Sequence, residues 1–272
     1  MSLKDEFRIM ISKLTEKYSI PPIANIFFPP FHRGGQPKEA EFMALSLAGG
    51  ATGISYVLLP DEKEKEYSTL QPSAFVGQDP RGFALEFGNE NPVKEMISLA
   101  AINAICQHVM RDTNFPLNSA ADSLGLLAIS AEDKLGMVGL FFPLIKYIKK
   151  AGAELVVIEK NKHLIQKYPE LPITMDATQL STCNKILCTS TTILNNSLEE
   201  IISHCASDAL ISVIGPTAGY FPDPLFNRGV DVVGGRLVKD GALFLKLLTE
   251  QKRWGDATQK TCFDKKIYTG II

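Results

Sequence analysis

The sequence lacks the features that mark several protein classes. Its five cysteines form no Cys-x-x-Cys pair, which speaks against a disulfide scaffold or a zinc ribbon. The 28 Lys and Arg residues are balanced by 30 Asp and Glu residues, so no positive excess is available to collect nucleic-acid phosphates. Four scattered histidines provide no His-x-x-x-His metal motif. We therefore expect free thiols in a reducing cytoplasm and no nucleic-acid partner.

Signals for export or membrane insertion are also scarce. The first twenty residues carry seven charged side chains and no apolar stretch typical of a secretory signal. The one long uncharged run, residues 42–60, contains Gly49, Gly50 and Gly53. Such a run is better explained by two strands around a Gly-Gly turn than by a membrane span. We predict a soluble cytoplasmic protein with no membrane partner.

The first part of the chain has an α+β pattern. A composition of 45% hydrophobic and 21% charged residues is ordinary for a globular protein, and 272 residues suffice for one large or two modest domains. Apolar residues from Phe7 to Tyr18 are spaced as on one face of a helix. A hairpin is predicted around Gly49-Gly50, and a second helix over residues 93–111. Residues 1–112 are predicted to form this α+β domain, followed by a polar linker over residues 113–123.

Residues 124–272 follow a different rhythm, in which short buried strands alternate with helices. This alternation predicts an α/β domain with a doubly wound parallel sheet. A helix is expected to begin at Pro143 and to end at Gly152, and others over residues 194–205 and 242–248. The predicted strands are residues 137–142, 155–158, 186–187, 209–214 and 230–233.

Ligands of open parallel sheets bind beyond the carboxyl ends of the strands, which selects four loops: residues 139–143, 159–161, 189–196 and 215–228. The third loop crowds hydroxyl and amide side chains before a helix, more than one helix cap needs. Thr191, Thr192 and Asn195 are therefore candidate ligand-binding residues, with helix capping as the alternative.

Gly136-Met-Val-Gly139 stands at the first predicted strand of this sheet, and Glu159 ends the second. An acidic residue at that strand end suits the ribose hydroxyls of a nucleotide-type cofactor. The full Gly-x-Gly-x-x-Gly fingerprint is absent, however, and Phe141 and Phe142 are bulky where a pyrophosphate needs bare backbone. Close packing at Gly136 and Gly139 is the alternative, so a nucleotide-type cofactor is the less favoured interpretation.

Two further elements complete the candidate site. Gly215, Pro216 and Thr217 open a loop rich in glycine and proline, which indicates a shaped, pre-formed loop. Such a loop either lines a site or is a plain connection to the next strand. Asn103 lies in an otherwise apolar helix. Its amide must either tie that helix to a neighbour or point into a cleft.

These residues together resemble the putative heavy-metal chelation domain family. The resemblance rests on Gly136-x-x-Gly139-x-Phe141, Glu159, Thr189-Ser-Thr-Thr-Ile-Leu-Asn-Asn-Ser197, Gly215-Pro-Thr217, Phe226-x-x-Gly229 and Ala101-Ile-Asn-Ala104. It implies an enolase-N-terminal-like domain joined to a Rossmann-like domain, with a site where the two meet. Ser190 and Ser197 stand where the family pattern leads us to expect Gly and Thr.

The first functional hypothesis is a small anionic or metal-chelating metabolite bound between the two domains, with or without catalysis. Thr191, Thr192 and Asn195 would hydrogen-bond the ligand, and Glu159 would anchor it or accept a proton. The alternatives are a non-catalytic carrier of a metal or metal chelate, and an enzyme that uses a nucleotide or adenosyl cofactor. The sequence identifies no catalytic residue and no metal ligand, and it leaves a homo-oligomer open.

Overall fold

The computed structural model describes residues 1–117 and 126–271, which form a mixed α/β fold with two sheets. The smaller sheet is antiparallel, in the order β1-β2-β3, and packs on a long helix, α4. The predicted first helix, hairpin and second helix are confirmed. The elements of this part are α1 (Leu3–Lys17), β1 (Ile23–Phe27), β2 (Phe42–Leu47), β3 (Thr52–Tyr56), α2 (Glu64–Ser68), α3 (Pro80–Leu85) and α4 (Pro92–Asp112).

The larger sheet has seven strands in the order β10-β9-β8-β7-β4-β5-β6. Its neighbouring strands are parallel except β9 and β10, so the predicted parallel sheet is confirmed. The strand order reverses between β4 and β7, which have successive strands on opposite sides. The elements are β4 (Lys134–Val138), α5 (Phe142–Ala151), β5 (Glu154–Ile158), α6 (Lys162–Lys167), β6 (Ile173–Thr174), β7 (Lys185–Thr189), α7 (Thr191–Leu194), α8 (Leu198–Ser203), β8 (Leu210–Ile214), α9 (Asp223–Phe226), β9 (Val232–Val238), α10 (Gly241–Thr249) and β10 (Thr258–Asp264).

The strand predicted over residues 137–142 was placed too late in the chain. Strand β4 ends at Val138, Gly139 has a left-handed backbone with φ of 85°, and α5 already begins at Phe142. Apolar residues of a buried strand and of the following helix turn form one continuous run, so periodicity cannot separate the two. The predicted stop at Gly152 is confirmed by its φ of 80° at the helix C-cap.

The single helix predicted over residues 194–205 is wrong. The chain forms two short helices, α7 and α8, separated by Asn195 and by Asn196, whose φ is 59°. The Asn195 Oδ1 accepts hydrogen bonds from the Ser197 backbone N–H at 3.2 Å and from its hydroxyl at 2.6 Å. Asparagine tolerates the left-handed region and bonds its own backbone in this way, so it interrupts a stripe of otherwise helical spacing.

The hairpin β2-β3 is buried on both faces and joins the two parts of the molecule. Phe42 and Ile54 on one face pack in a cluster with Phe244 of α10. Residues of the opposite face belong to a larger cluster that contains α4 and also extends into the second part of the chain. In that cluster the rings of Phe7 and Tyr220 lie 4.9 Å apart, edge to face. The apolar core is therefore continuous between the two sheets.

Part of the chain between the sheets lies outside this description. The predicted linker spans residues 113–123, and residues 118–123 of it are not among the described ones. Within residues 1–117 and 126–271, no helix has both the length and the apolar composition to cross a membrane.

A polar anchor at the start of β4 should make stability depend on pH. Burial alone raises the pKa of the Asp133 carboxyl, but hydrogen bonds from Lys185, the Ser130 N–H and Asn184 outweigh it and hold the pKa well below its usual range. We expect Asp133→Asn to lower the free energy of unfolding by about 1–3 kcal/mol at neutral pH.

Because the folded-state pKa is lowered, this stabilisation is present above the unfolded-state pKa of about 4 and disappears as the pH falls through the folded-state value. Urea denaturation of wild type and Asp133→Asn at pH 7 and pH 3 measures the difference. The exposed Asp208→Asn serves as the control. A destabilisation of equal size at both pH values would contradict the assignment.

Candidate functional site

Strand β3 runs past the carboxyl ends of several strands of the parallel sheet. At one end, Gly241, which follows β9, lies close to Thr52. A Cβ at Gly241 would be 3.2 Å from the Thr52 hydroxyl oxygen. In the middle, the Ile54 carbonyl is linked through an amide to the loop after β8. At the other end, Tyr56 lies within electrostatic reach of Glu159 after β5. The first part of the chain therefore lies against the sheet edge at which ligands of parallel sheets bind.

The amide that makes this link is the side chain of Asn103, a residue that is only 2% exposed. Its Nδ2 donates to the Ile54 carbonyl at 2.7 Å and to the Thr217 carbonyl at 2.8 Å. One turn later, Gln107 accepts from the Thr52 N–H at 2.9 Å and donates to the Val238 carbonyl. Asn103 and Gln107 thus fix α4, β3 and the sheet edge to one another.

The loop that begins at Gly215 is held from its own side of the interface. The hydroxyls of Thr217 and Ser190 lie 2.6 Å apart, and both residues are buried. A Cβ at Gly215 would lie 2.1 Å from the Ser190 Oγ, so only glycine fits there beside Ser190. Pro216, between them, is partly exposed. The Thr217 hydroxyl therefore already has a partner within the protein.

The threonines after β7 divide into two kinds. Thr192 is buried, and its hydroxyl donates to the Thr189 carbonyl at 2.7 Å. Thr191 is partly exposed, and its hydroxyl oxygen accepts from the Thr189 hydroxyl at 3.1 Å. The Thr191 hydroxyl therefore keeps its own hydrogen for donation outward. Asn195 is exposed, and its carboxamide oxygen holds Ser197 in the turn described above.

Gly139 connects this threonine pair to Glu159. Its N–H donates to the Ile158 carbonyl at 2.9 Å, and its missing Cβ would lie 3.0 Å from a methyl carbon of Thr189. Glu159 is partly exposed, and its Oε1 accepts from the Asn161 N–H at 2.9 Å. Glu159, Gly139, Thr189 and Thr191 therefore form one continuous strip across the point where the strand order reverses.

The other glycine of this motif serves packing. A Cβ at Gly136 would lie 2.5 Å from a Leu180 methyl and 2.9 Å from an Ile186 methyl. Gly136 is therefore required for close contact inside the sheet layer and does not approach a ligand.

Tyr56 and Glu41 belong to the same edge but are missing from the sequence-predicted site. Burial, together with the negative charges of Glu41 and Glu159, raises the pKa of the Tyr56 phenol to about 12, so the phenol stays protonated at neutral pH. The sequence showed Tyr56 only as an apolar member of an alternating strand, and Glu41 only as a charge before it. Their proximity to Glu159 depends on the packing of two distant segments.

The described residues, 1–117 and 126–271, contain no group of three or more His, Cys, Asp or Glu side chains placed to hold a metal ion. Four cysteines, Cys106, Cys183, Cys188 and Cys205, are free thiols. Burial raises the pKa of the Cys188 and Cys106 thiols to about 12, which keeps both protonated. Along the strip, the groups that can meet a ligand are hydroxyls, a phenol, a carboxylate and backbone.

Comparison with known proteins gives a family but no activity. Residues 122–265, just over half of the chain, match the family DUF364, which is described as putative heavy-metal chelation. An uncharacterised protein of Methanocaldococcus jannaschii is 24% identical over 176 residues, which cover 62% of this chain and 65% of that protein. The chain thus spans just under two thirds of the length of this curated relative.

Two crystal structures share the fold over nearly the whole chain. One, from Pyrococcus horikoshii, has a TM-score of 0.71 at 18% identity and covers 97% of this chain and 100% of its own. The other, from Desulfitobacterium hafniense, has a TM-score of 0.70 at 20% identity and covers 97% and 98%. Both are described as proteins of unknown function from the DUF364 family.

Proposed function

Because the chain belongs to the DUF364 family, described as putative heavy-metal chelation, we propose that it binds a small metal-chelating metabolite or its metal complex. The binding place is the strip of Glu159, Gly139, Thr189 and Thr191 beneath Tyr56. The observation that carries the proposal is the position of this strip where the strand order reverses, between β4 and β7. Strand β3 lies next to this edge of the sheet. Crevices of this kind are the usual ligand sites of open α/β sheets.

The chemistry of the strip suits a metal chelate. A chelate brings its own metal ligands, and its outer oxygen atoms accept hydrogen bonds. The Thr191 hydroxyl and the protonated Tyr56 phenol are donors for such atoms. The Glu159 carboxylate, which retains one oxygen beyond its bond to the Asn161 N–H, favours a positive centre. A plain anion would meet the same donors but would be repelled by the carboxylate.

The loops on either side define the pocket. Thr217, Ser190 and Asn103 hold the Gly215 loop through hydrogen bonds, so the backbone of Gly215 and Pro216 forms a rigid wall. Thr192 and Asn195 support the turn that carries Thr191. We assign binding to Thr191, Tyr56, Gly139 and Glu159, and positioning to the buried polar residues behind them. Glu159 is the group to test as a proton acceptor in a catalytic version of this function.

The two neighbouring threonines provide a matched pair of substitutions. Thr191→Val should weaken ligand binding at least about tenfold and leave the free energy of unfolding within about 0.5 kcal/mol of wild type. Thr192→Val should lower the free energy of unfolding by about 1–2 kcal/mol, because the partly buried Thr189 carbonyl loses a donor. Urea denaturation and ligand titration of both variants measure the two effects. Unchanged affinity in Thr191→Val would contradict its assignment to binding.

The direct test begins with native and denatured masses of the purified protein, since an excess native mass reveals a retained ligand. Calorimetric titrations with citrate, nickel citrate and nickel chloride then separate an anion, a chelate and a bare metal. We expect nickel citrate to bind more tightly than the other two, and at least about tenfold more weakly to Thr191→Val. Equal masses together with no binding of any of the three probes would overturn the proposal.

A nucleoside-bearing ligand is the second candidate. Strands β6-β5-β4-β7-β8-β9 follow the order of dinucleotide-binding sheets, and Glu159 ends the strand whose acidic residue holds ribose hydroxyls in such proteins. The packing role of Gly136 and the aromatic side chain of Phe141 count against a pyrophosphate at this turn. Titration with adenosine 5′-monophosphate tests this candidate. Binding that is lost in Glu159→Gln supports it, and absence of binding ends it.

The finer structural assignments follow the same proposal. We assign residues 1–112 to an enolase-N-terminal-like domain, residues 124–272 to a Rossmann-like domain, and the ligand to the interface between them. A cytoplasmic location accords with the free thiols. Whether copies of the chain associate is tested by measuring the molar mass in solution.

A further inference from the structure

An open surface pocket of about 510 Å³, called the cavity below, lies between the end of α4 and the end of β9, apart from the strip described above. Its lining includes Arg111, Lys239 and Asn114 as well as the apolar side chains of Met110, Phe115 and Leu237, but none of the residues assigned to chelate binding. A volume of this size lies within the range of roughly 300–1,000 Å³ that small-molecule pockets occupy. No Asp or Glu residue is among the residues that line it.

The end of α4 gives this cavity a fixed wall. Asn114 has a left-handed backbone with φ of 49°, its N–H donates to the Arg111 carbonyl, and the Phe115 N–H donates to the Met110 carbonyl at 2.8 Å. This is the Schellman ending of a helix, which satisfies the last carbonyls and brings the residue after the turn against the last turn of the helix. Met110 and Phe115 form the apolar side of the cavity in this way.

Arg111 gives the cavity a positive charge that has no ion-pair partner within residues 1–117 and 126–271. Its Nη2 donates to the Val238 carbonyl at 2.5 Å, and Gln107 donates to the same carbonyl. No carboxylate pairs with Arg111 among the described residues, whereas Arg33 and Arg228 each pair with glutamates. Partial loss of surrounding water lowers the pKa of the Arg111 guanidinium, although the residue as a whole is exposed. Its remaining N–H donors are therefore accessible to an incoming anion.

The other charged groups around the cavity agree with this. Lys239 adds a second cation to the lining. Asp112 and Asp240 are neighbours of the two cations in sequence but do not line the cavity, and the Asp240 carboxylate accepts from the Leu243 N–H at the start of α10. The amide of Asn114 provides further polar atoms without net charge.

From this geometry we infer a second ligand site, which binds a small organic anion with an apolar body. The carboxylate or phosphate of the ligand lies against Arg111 and Lys239, and its acyl or aryl part lies against Met110, Phe115 and Leu237. Gln107, Arg111 and Val238 also join the two parts of the chain. A ligand in this site therefore contacts the same interface between the two parts that lies beside the chelate-binding strip.

Calorimetric titration with benzoate, phenyl phosphate and benzyl alcohol tests the inference. We expect at least one of the two anions to bind and the neutral alcohol to bind at least about tenfold more weakly. Added salt should lower the affinity for the anion. The stronger of the two anions identifies a carboxylate or a phosphate as the natural head group. Failure of both anions to bind would overturn the inference.

A charge reversal at the rim distinguishes this cavity from the rest of the surface. Lys239→Glu should lower the affinity for the anion at least about tenfold. Lys260→Glu, at an exposed position of β10 outside the lining, should leave the affinity for the anion unchanged. Arg111→Gln should weaken it further, and its thermal unfolding shows whether the loss follows from destabilisation. Equal affinities in Lys239→Glu and Lys260→Glu would contradict the site.

Discussion

Replacing Asn103 by leucine should lower the free energy of unfolding by about 2–4 kcal/mol, because the Ile54 and Thr217 carbonyls each lose a buried donor. Among the described residues the buried Asn103 Oδ1 has no hydrogen-bond partner, so its removal relieves part of this cost and keeps the net loss below the sum of two orphaned carbonyls. Leucine has a similar size, which limits the contribution of a cavity. Urea denaturation of both proteins measures the change.

The same substitution reports on the interface. Asn103 ties α4 to both β3 and the Gly215 loop. Asn103→Leu should therefore also weaken the binding of nickel citrate, because the loop is displaced and not because a contact with the ligand is lost. Ile102→Val, a neighbouring buried position without a polar group, is the control and should cost only about 1 kcal/mol. If Asn103→Leu reduces stability but leaves ligand affinity unchanged, the amide serves folding alone.

Gly53→Ala should be still more disruptive, with a loss of at least about 3 kcal/mol or failure to fold. The Cβ of an alanine would lie 1.9 Å from the Ala100 carbonyl oxygen and 2.4 Å from the Ala104 nitrogen, both in the backbone of α4. Neither atom can move as the end of a side chain would, so β3 must separate from the helix. Soluble yield and the midpoint of urea denaturation are the measurements.

Gly255→Ala provides the control for this substitution. No atom lies within 4 Å of the position that its Cβ would take, and its backbone is outside the left-handed region. The free energy of unfolding should therefore stay within about 0.5 kcal/mol of wild type. Comparable losses in Gly53→Ala and Gly255→Ala would show that close approach of β3 and α4 is not the cause.

The sequence predicted local elements well where a short-range signal exists. The hairpin around Gly49-Gly50 and the long helix α4 follow from alternation and from helical spacing. The misplaced strand at residues 137–142 and the interrupted helix at Asn196 show the limit, because a polar turn and a strand end leave only weak marks in an apolar pattern.

The candidate site shows the same division between local and distant information. Polar loops after successive parallel strands must meet at one edge, so Gly139, Glu159 and Thr191 could be selected from the chain alone. Which hydroxyl faces outward could not, since Thr191 and Thr192 are adjacent and alike in sequence. Tyr56 comes from a hairpin about a hundred residues earlier, and only packing brings it within electrostatic reach of Glu159.

The sequence by itself determined the two kinds of sheet, the parallel edge and the loops that end there, because strand and helix periodicity are local properties of the chain. Only the tertiary structure decided that β3 lies against that edge, that Asn103 joins the two parts, and that Arg111 lines an open pocket without an ion-pair partner among the described residues. The physical reason is that these features depend on contacts between segments far apart in sequence. Such contacts are fixed by the packing of the whole core and leave no periodic signal in either segment alone.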